Sequence, residues 1–294
     1  MGQLSFENVG YIYGVGTPEP VTALDDVSLT FAPGAVTGLI GHTGSGKSTL
    51  IQLANGILKP TSGRVLLDGS DIWAEPKKIR SVRFRVGLVF QYPEYQLFED
   101  TVYGDIAFGP GNMGLNHKET DRRIRRAAEF VGLDPSLFDR SPFELSGGQK
   151  RRVAIAGIFA MEPEILILDE PAAGLDPAGR EEILGGIRDY QKKTGNTVVI
   201  VSHSMEDIAR YADELVVLDH GKVFRRGSCA EVFGDGDGLR SVGLEVPSVT
   251  RIIEMLRKRG LPLKDGIYTV EDAAAEIARL RTAGKDTGTG VSDR

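Results

Sequence analysis

Gly41-His42-Thr43-Gly44-Ser45-Gly46-Lys47-Ser48 decides the reading of this chain, because it fills every fixed position of G-x-x-x-x-G-K-[ST]. Upstream, residues 35–40 form a short, mostly apolar run of the kind that a buried strand uses. Downstream, Leu50, Leu53, Ala54 and Leu58 share one face of a helix that starts at Lys47. Strand, glycine loop and helix therefore follow in the order a phosphate-binding loop requires. The glycines let the backbone turn tightly so that its N–H groups converge on phosphate oxygens, and the positive end of the helix faces the same anion. In such a loop Lys47 reaches the β- and γ-phosphates and Ser48 holds Mg²⁺. Residues 41–48 together with Thr49 are the expected nucleotide-binding set.

Three later apolar runs end abruptly in polar residues, as buried parallel strands do when they deliver side chains to one edge of a sheet. Residues 86–90 end at Gln91, 165–168 at Asp169-Glu170, and 197–201 at Ser202-His203. An apolar strand closing on two carboxylates suits a nucleotide hydrolase, with Asp169 ordering Mg²⁺ and Glu170 acting on the attacking water. Gln91 is a candidate sensor of the γ-phosphate. His203 can donate a hydrogen bond to that phosphate while neutral.

Between these strands lies a helical stretch, with helices expected near residues 117–131 and 148–159. Inside it, Leu145-Ser146-Gly147-Gly148-Gln149 precedes Lys150-Arg151-Arg152. A serine and two glycines at a helix N-terminus make a second anion site, without the lysine of the first. One nucleotide has no need of two such loops from one chain. After Gln91, residues 92–100 mix Tyr92, Tyr95, Leu97 and Phe98 with Glu94, Glu99 and Asp100. That mixture suits a groove that receives a partner helix carrying basic residues, the aromatics supplying area and the rim carboxylates orientation.

The remaining patterns frame these sites. Residues 3–9 and 27–31 alternate apolar and polar side chains, as half-exposed strands do, and Tyr13 stands at the end of the first before a Gly/Pro-rich connection. Residues 64–67 read as a strand, and 214–219 with 222–226 as a closing hairpin around His220-Gly221. Pro177 suits the first turn of a helix over 178–193, with Asp176 as its N-cap. Residues 234–238 read as a linker. Beyond it, two short amphipathic helices are expected over 249–256 and 271–280, each too small to stand alone. The end from 282 is expected to be disordered.

With 294 residues the chain can bury a full core and carry an appendage. We expect an α/β fold, a mostly parallel sheet beside an antiparallel β subdomain. The main α/β unit is expected to span 1–240, with a helical subdomain at about 95–161, and a helical dimerisation domain is expected at 241–294. A net charge of −6 speaks against wrapping nucleic acid. One cysteine, Cys229, forms no internal disulfide, and no Cys/His cluster has metal-ligand spacing. No run of 18 apolar residues occurs, and the first residues enter a strand pattern directly. A cytoplasmic chain whose membrane contact comes through another protein is the expectation.

Taken together, these motifs resemble those of ABC-type ATPases over residues 3 to about 235. The resemblance makes Gln91 the Q-loop residue, residues 145–149 the signature, Asp169 and Glu170 the end of the Walker B strand, and Gly174-Leu175-Asp176 the D-loop. His203 becomes the switch histidine and Tyr13 the adenine-stacking ring. It further implies two cassettes facing head to tail, with ATP held between the phosphate loop of one and Ser146, Gly147, Gly148 and Gln149 of the other. Residues 91–98, Ser141-Pro142-Phe143-Glu144 and Glu245-Val246-Pro247 are similar to the second of the two paralogous ATPases of energy-coupling factor transporters. That likeness implies ATP and Mg²⁺ as cofactors, a second ATPase subunit (paralogue or self), a transmembrane coupling protein and a substrate-binding membrane component. It also implies uptake of vitamins or other micronutrients from the cytoplasmic face of the membrane. Alternatives are a cobalt or nickel importer and a non-transport ABC ATPase of DNA repair or translation. Ala172 and Lys150 depart from the family pattern, where Thr and Met are common, and neither position carries chemistry.

Overall fold

A sheet whose central strands are buried on both faces has apolar residues at every position, and that is how this chain builds its centre. The computed structural model describes residues 2–286, with side chains to 281. In chain order the first elements are β1 (Leu4–Tyr13), β2 (Val21–Thr30), β3 (Val36–Ile40), α1 (Lys47–Ala54), β4 (Ser62–Leu67) and β5 (Ser70–Asp71). Next come α2 (Ile79–Arg85), β6 (Val86–Val89), α3 (Val102–Asn112), α4 (His117–Phe130) and α5 (Gly147–Phe159). The core closes with β7 (Ile165–Asp169), α6 (Pro177–Thr194), β8 (Thr197–Val201), α7 (Met205–Tyr211), β9 (Glu214–Asp219) and β10 (Lys222–Ser228). Four helices end the described chain: α8 (Cys229–Phe233), α9 (Gly236–Ser241), α10 (Ser248–Lys258) and α11 (Val270–Asp286).

Two sheets result. The larger runs β10-β9-β3-β8-β7-β6, parallel except where β10 returns along β9. The smaller is antiparallel, in the order β2-β1-β4-β5. Successive residues of each central strand feed two different cores. Ile165 and Ile167 of β7 pack with α1 and the small sheet, while Leu166 and Leu168 pack with the helical layer. This explains why the sequence shows unbroken apolar runs there instead of alternation.

Several elements differ from the sequence expectation for identifiable reasons. β1 and β2 are each longer than read, because bulges break their alternation: the register shifts between Phe6 and Val9, and Asn8 and Asp26 adopt φ of 48° and 55°. Their side chains are joined, Asn8 Nδ2 donating to Asp26 Oδ1 at 2.9 Å. Residues 234–238 are not a linker. Asp235 caps α9 by accepting from Gly238 N at 3.0 Å, and Leu239 is buried in the main core. α2 was not legible at all. Of the expected disordered end, residues 282–286 belong to α11 and the rest lie outside the described residues. The tail has a small core of its own, Ile253, Leu263, Ile267 and Ala273, while Tyr268 meets Phe233 of α8 with ring centroids 5.9 Å apart. Among the described residues no helix is long and apolar enough to cross a membrane.

Candidate nucleotide site

Register brings the chemistry together. Leu39 of β3 pairs with Val201, as does Asp169 of β7, and Val89 of β6 pairs with Leu168. The C-terminal ends of four parallel strands are thus level, so Gly41, Gln91, Glu170 and His203 leave the sheet on the same edge. Gly46 precedes α1 with φ of 104°, and a Cβ there would stand 2.6 Å from the Ala23 carbonyl oxygen. Glycine is therefore required both by conformation and by the close approach of β2. A cleft of about 470 Å³ opens at this edge, lined by Tyr13, Thr43, Gly44, Gly46, Lys47, Ser48, Thr49, Gln91, Asp169, Glu170 and His203. Val21, Thr22 and Ala23 complete its wall. The sequence reading missed these three because it began the second strand at Val27.

The charges inside the cleft are mutually adjusted. Lys47 Nζ donates to the carbonyls of Gly41 at 2.7 Å and His42 at 3.0 Å, which holds the loop closed on its own lysine. Burial lowers the Lys47 pKa, with Glu170 and Asp169 opposing the change. Burial raises the Asp169 carboxyl, against the pull of Lys47. Glu170 is pushed up to about 7, first by burial and then by the neighbouring Asp169 charge. It sits at φ of 50°, its N–H donating to the Val201 carbonyl at 3.0 Å, so its backbone is held in a conformation that side chains adopt rarely. His203 Nε2 is 3.6 Å from Glu170 Oε1, too far for a hydrogen bond. Burial lowers the His203 pKa, with Lys47 adding to it, which keeps the ring neutral near pH 7.

One buried atom points to a missing polar group. Glu170 Oε1 has no hydrogen-bond partner among the described residues, although an orphaned buried acceptor is costly. A phosphate-bound water fits that position, and the exposed Ser48 hydroxyl with Asp169 and Gln91 gives an oxygen-only set suited to Mg²⁺. Tyr13 lies at the cleft rim, 42% exposed, its hydroxyl 3.2 Å from Thr49 Oγ1 and its ring edge-on to Tyr11.

Other expected residues stand elsewhere. Ser146, Gly147, Gly148 and Gln149 do not line the cleft. They begin α5 with a reciprocal cap, Ser146 N donating to Gln149 Oε1 at 3.0 Å and Gln149 N to Ser146 Oγ at 3.3 Å. Asp176 caps α6 by accepting from Gly179 N at 2.9 Å and is likewise outside the cleft. The His42 ring turns away toward Asp219. Glu94 is a correction: it is no rim carboxylate. Arg151 of α5 grips it bidentately at 2.8 and 3.1 Å, and the same guanidinium donates to the Ala173 carbonyl. In the sequence Arg151 stands only as the middle of a basic triplet, which gives no sign of this pairing.

Comparison with known proteins decides the family. Residues 24–173 match the ABC transporter family. The chain belongs to that family. Similar curated relatives are the energy-coupling factor transporter ATP-binding protein EcfA2 of Caldanaerobacter subterraneus subsp. tengcongensis, 51% identical over 94% of this chain and 96% of that protein. The protein of the same name from Clostridium acetobutylicum is 52% identical over 96% of this chain and 99% of its own. These relatives place this ABC ATPase among the ATP-binding subunits of energy-coupling factor transporters, with ATP hydrolysis coupled to transport. The solved structure of cbiO1 from Clostridium perfringens, part of the ABC transporter complex cbiONQ, superposes with a TM-score of 0.72 at 41% identity, covering 86% of this chain and 98% of that one. The dimeric ATP-binding cassette MJ0796 bound to ADP and Pi gives 0.69 at 28% identity, covering 76% and 98%.

Proposed function

We propose that this ABC ATPase powers uptake of a vitamin or other micronutrient through a transmembrane coupling protein and a separate substrate-binding membrane component, at the cytoplasmic face of the membrane. The observation that carries the reading is the separation of two anion-binding helix ends. The cleft around Lys47 holds no residue of 146–149, so a nucleotide enclosed by both must lie between two chains. Tyr13 stacks on the base, residues 41–49 hold the phosphates, and Ser146 to Gln149 with Asp176 close from the opposite cassette. Ser48, Gln91 and Asp169 hold Mg²⁺, which neutralises phosphate charge when bound. Glu170 takes a proton from water, and neutral His203 donates to the γ-phosphate.

Coupling needs a surface that moves with the cleft. The segment that follows Gln91 reaches, through Gln96, Leu97 and Phe98, a groove of about 300 Å³ with Phe84, Phe108, Ile158 and Met161 among its other walls. Phe98 and Phe108 meet edge to face at 4.9 Å while each remains more than half exposed. At its floor, Asp105 Oδ2 is buried with no partner among the described residues, and burial raises its pKa. A basic residue on an inserted helix of the coupling protein satisfies that atom. Asp105→Asn keeps the oxygen that accepts from Phe98 N at 3.2 Å. It should leave ATP hydrolysis of the isolated subunit unchanged, yet weaken assembly with the membrane protein by about thirtyfold, the equivalent of about 2 kcal/mol for a buried charged contact. Unchanged assembly and uptake would remove the groove from the coupling path.

The tail offers a different surface. Ile252, Met255, Leu261, Val270 and Ile277 are exposed on and between α10 and α11, while the small core beneath them holds four buried side chains. We assign this face to the second ATPase subunit, which it holds between rounds of ATP closure. Truncation should begin at residue 248, because Leu244 and Val246 belong to the main core. The nucleotide-free pair lacking 248–294 should fall apart in a mass measurement at a dilution where the full-length pair persists. An intact pair would give the tail another job.

A further inference from the structure

His42 is held in a way that a neutral imidazole cannot satisfy. Its Nδ1 lies 2.8 Å from the Thr43 carbonyl oxygen and its Nε2 lies 3.0 Å from Asp219 Oδ1. A carbonyl and an ionised carboxylate only accept, and a neutral ring has one N–H to give. With that N–H on the carbonyl, the Nε2 lone pair faces a carboxylate oxygen. A cation belongs between them. A third donor surrounds the same point: His220, at the β9–β10 turn, brings Nδ1 to 2.7 Å from the same Oδ1, with the two imidazole rings 4.9 Å apart. The three ligand atoms lie within 4.8 Å of one another.

We propose that His42 Nε2, Asp219 Oδ1 and His220 Nδ1 bind a divalent transition-metal ion of the zinc type, joining the phosphate loop to the β9–β10 turn. Two imidazoles and one carboxylate suit such an ion, whereas Mg²⁺ prefers oxygen alone. This site is therefore chemically distinct from the oxygen set at Ser48 and Asp169. With metal bonds of about 2.0–2.2 Å, tetrahedral ligand atoms stand roughly 3.3 Å apart, so the two nitrogen–oxygen contacts, at 3.0 and 2.7 Å, need to open by a few tenths of an ångström. His220 is exposed, which permits that adjustment and leaves the fourth position to water. The Nδ1 contact to the Thr43 carbonyl is the outer-shell bond that metal-bound histidines commonly make, fixing both tautomer and ring. The two elements already touch through Gly221 N, which donates to the Ser45 carbonyl at 3.0 Å. The ion adds a second tie between the phosphate loop and the hairpin.

The test uses the full-length, nucleotide-free protein, titrated with Zn²⁺ alone against a chromophoric chelator in buffer without Mg²⁺. One ion per chain is expected. His220→Asn removes the imidazole while keeping a residue that tolerates the φ of 45° at this position, and it should weaken zinc binding by about tenfold or more. Asp219→Asn should do the same. Co²⁺ in place of zinc should give a visible absorption band in the unmodified protein and not in either variant. Saturating zinc should also raise the melting temperature of the unmodified protein by several degrees more than that of His220→Asn. Equal affinity in protein and variants would move the ion to other groups, His203 with Asp169 and Glu170 included, and overturn the proposal. So would the absence of binding.

Discussion

Glu170→Gln is expected to keep ATP and almost cease to hydrolyse it. Glu170 is positioned by the left-handed backbone at the end of β7, and its Oε1 is the buried acceptor left without a partner beside the cleft. A base serves best when its pKa lies near the working pH, and burial with the Asp169 charge brings this carboxyl to about 7. Removing it should cost about 10²- to 10⁴-fold in turnover of the assembled transporter, the range for a positioned acid or base, with ATP retained in a closed pair. Turnover within about threefold of the unmodified protein would rule out the role. Two pH effects accompany it. The active form is the carboxylate, so kcat/KM for ATP should fall as pH drops below about 7 and the glutamine variant should lack that slope. Stability runs the other way. The folded, nucleotide-free protein keeps a proton that the unfolded chain loses near the ordinary value of 4.5, so stability declines as pH rises from 4.5 to about 7. Glutamine removes that decline, a gain of up to about 3 kcal/mol above neutrality. Denaturant midpoints measured at pH 5 and pH 8 separate the two proteins: equal differences at both would deny the shifted carboxyl.

How much was legible follows from what each signal depends on. The phosphate loop, the strand ends at Gln91, Glu170 and His203, and the caps at Ser146 and Asp176 are local in sequence, written within a few residues of the backbone they shape. They could be read. β1 and β2 were cut short because their bulges destroy the alternation by which a strand is recognised, and the wall formed by Val21 to Ala23 was lost with them. Pairings across long separations left no trace. His42 and Asp219 are 177 residues apart, so a search for ligands at close spacing passes over them. Asp105 carried no signal either, since only burial against α5 distinguishes it from any carboxylate on a helix.

Arg151→Met should destabilise the protein by about 3–5 kcal/mol, because it leaves the Glu94 carboxylate inside the structure without its counter-charge. The pair is well buried, Arg151 being 4% exposed and Glu94 16% in their side chains. The same guanidinium donates to the Ala173 carbonyl, just past Glu170, and lies 6.0 Å from the centre of the Tyr92 ring. One side chain of the signature helix thus holds both the segment after Gln91 and the connection after the β7 carboxylates. Charge reversal at Glu94 cannot test membrane docking in isolation, since it places two positive groups face to face in a buried setting. The expected fall in melting temperature for Arg151→Met is roughly 10 °C for a chain of this size. Glu94→Gln should cost less than the methionine variant, as it retains an acceptor and one charged partner of the Ala173 carbonyl. A double-mutant cycle over the two positions should show coupling of about 1–3 kcal/mol. Additive losses would mean that Glu94 and Arg151 stabilise the fold separately. In that case the Q-loop segment and the signature helix are joined by apolar packing around Leu97 and Val153, and Glu94 becomes free to be exchanged without disturbing α5.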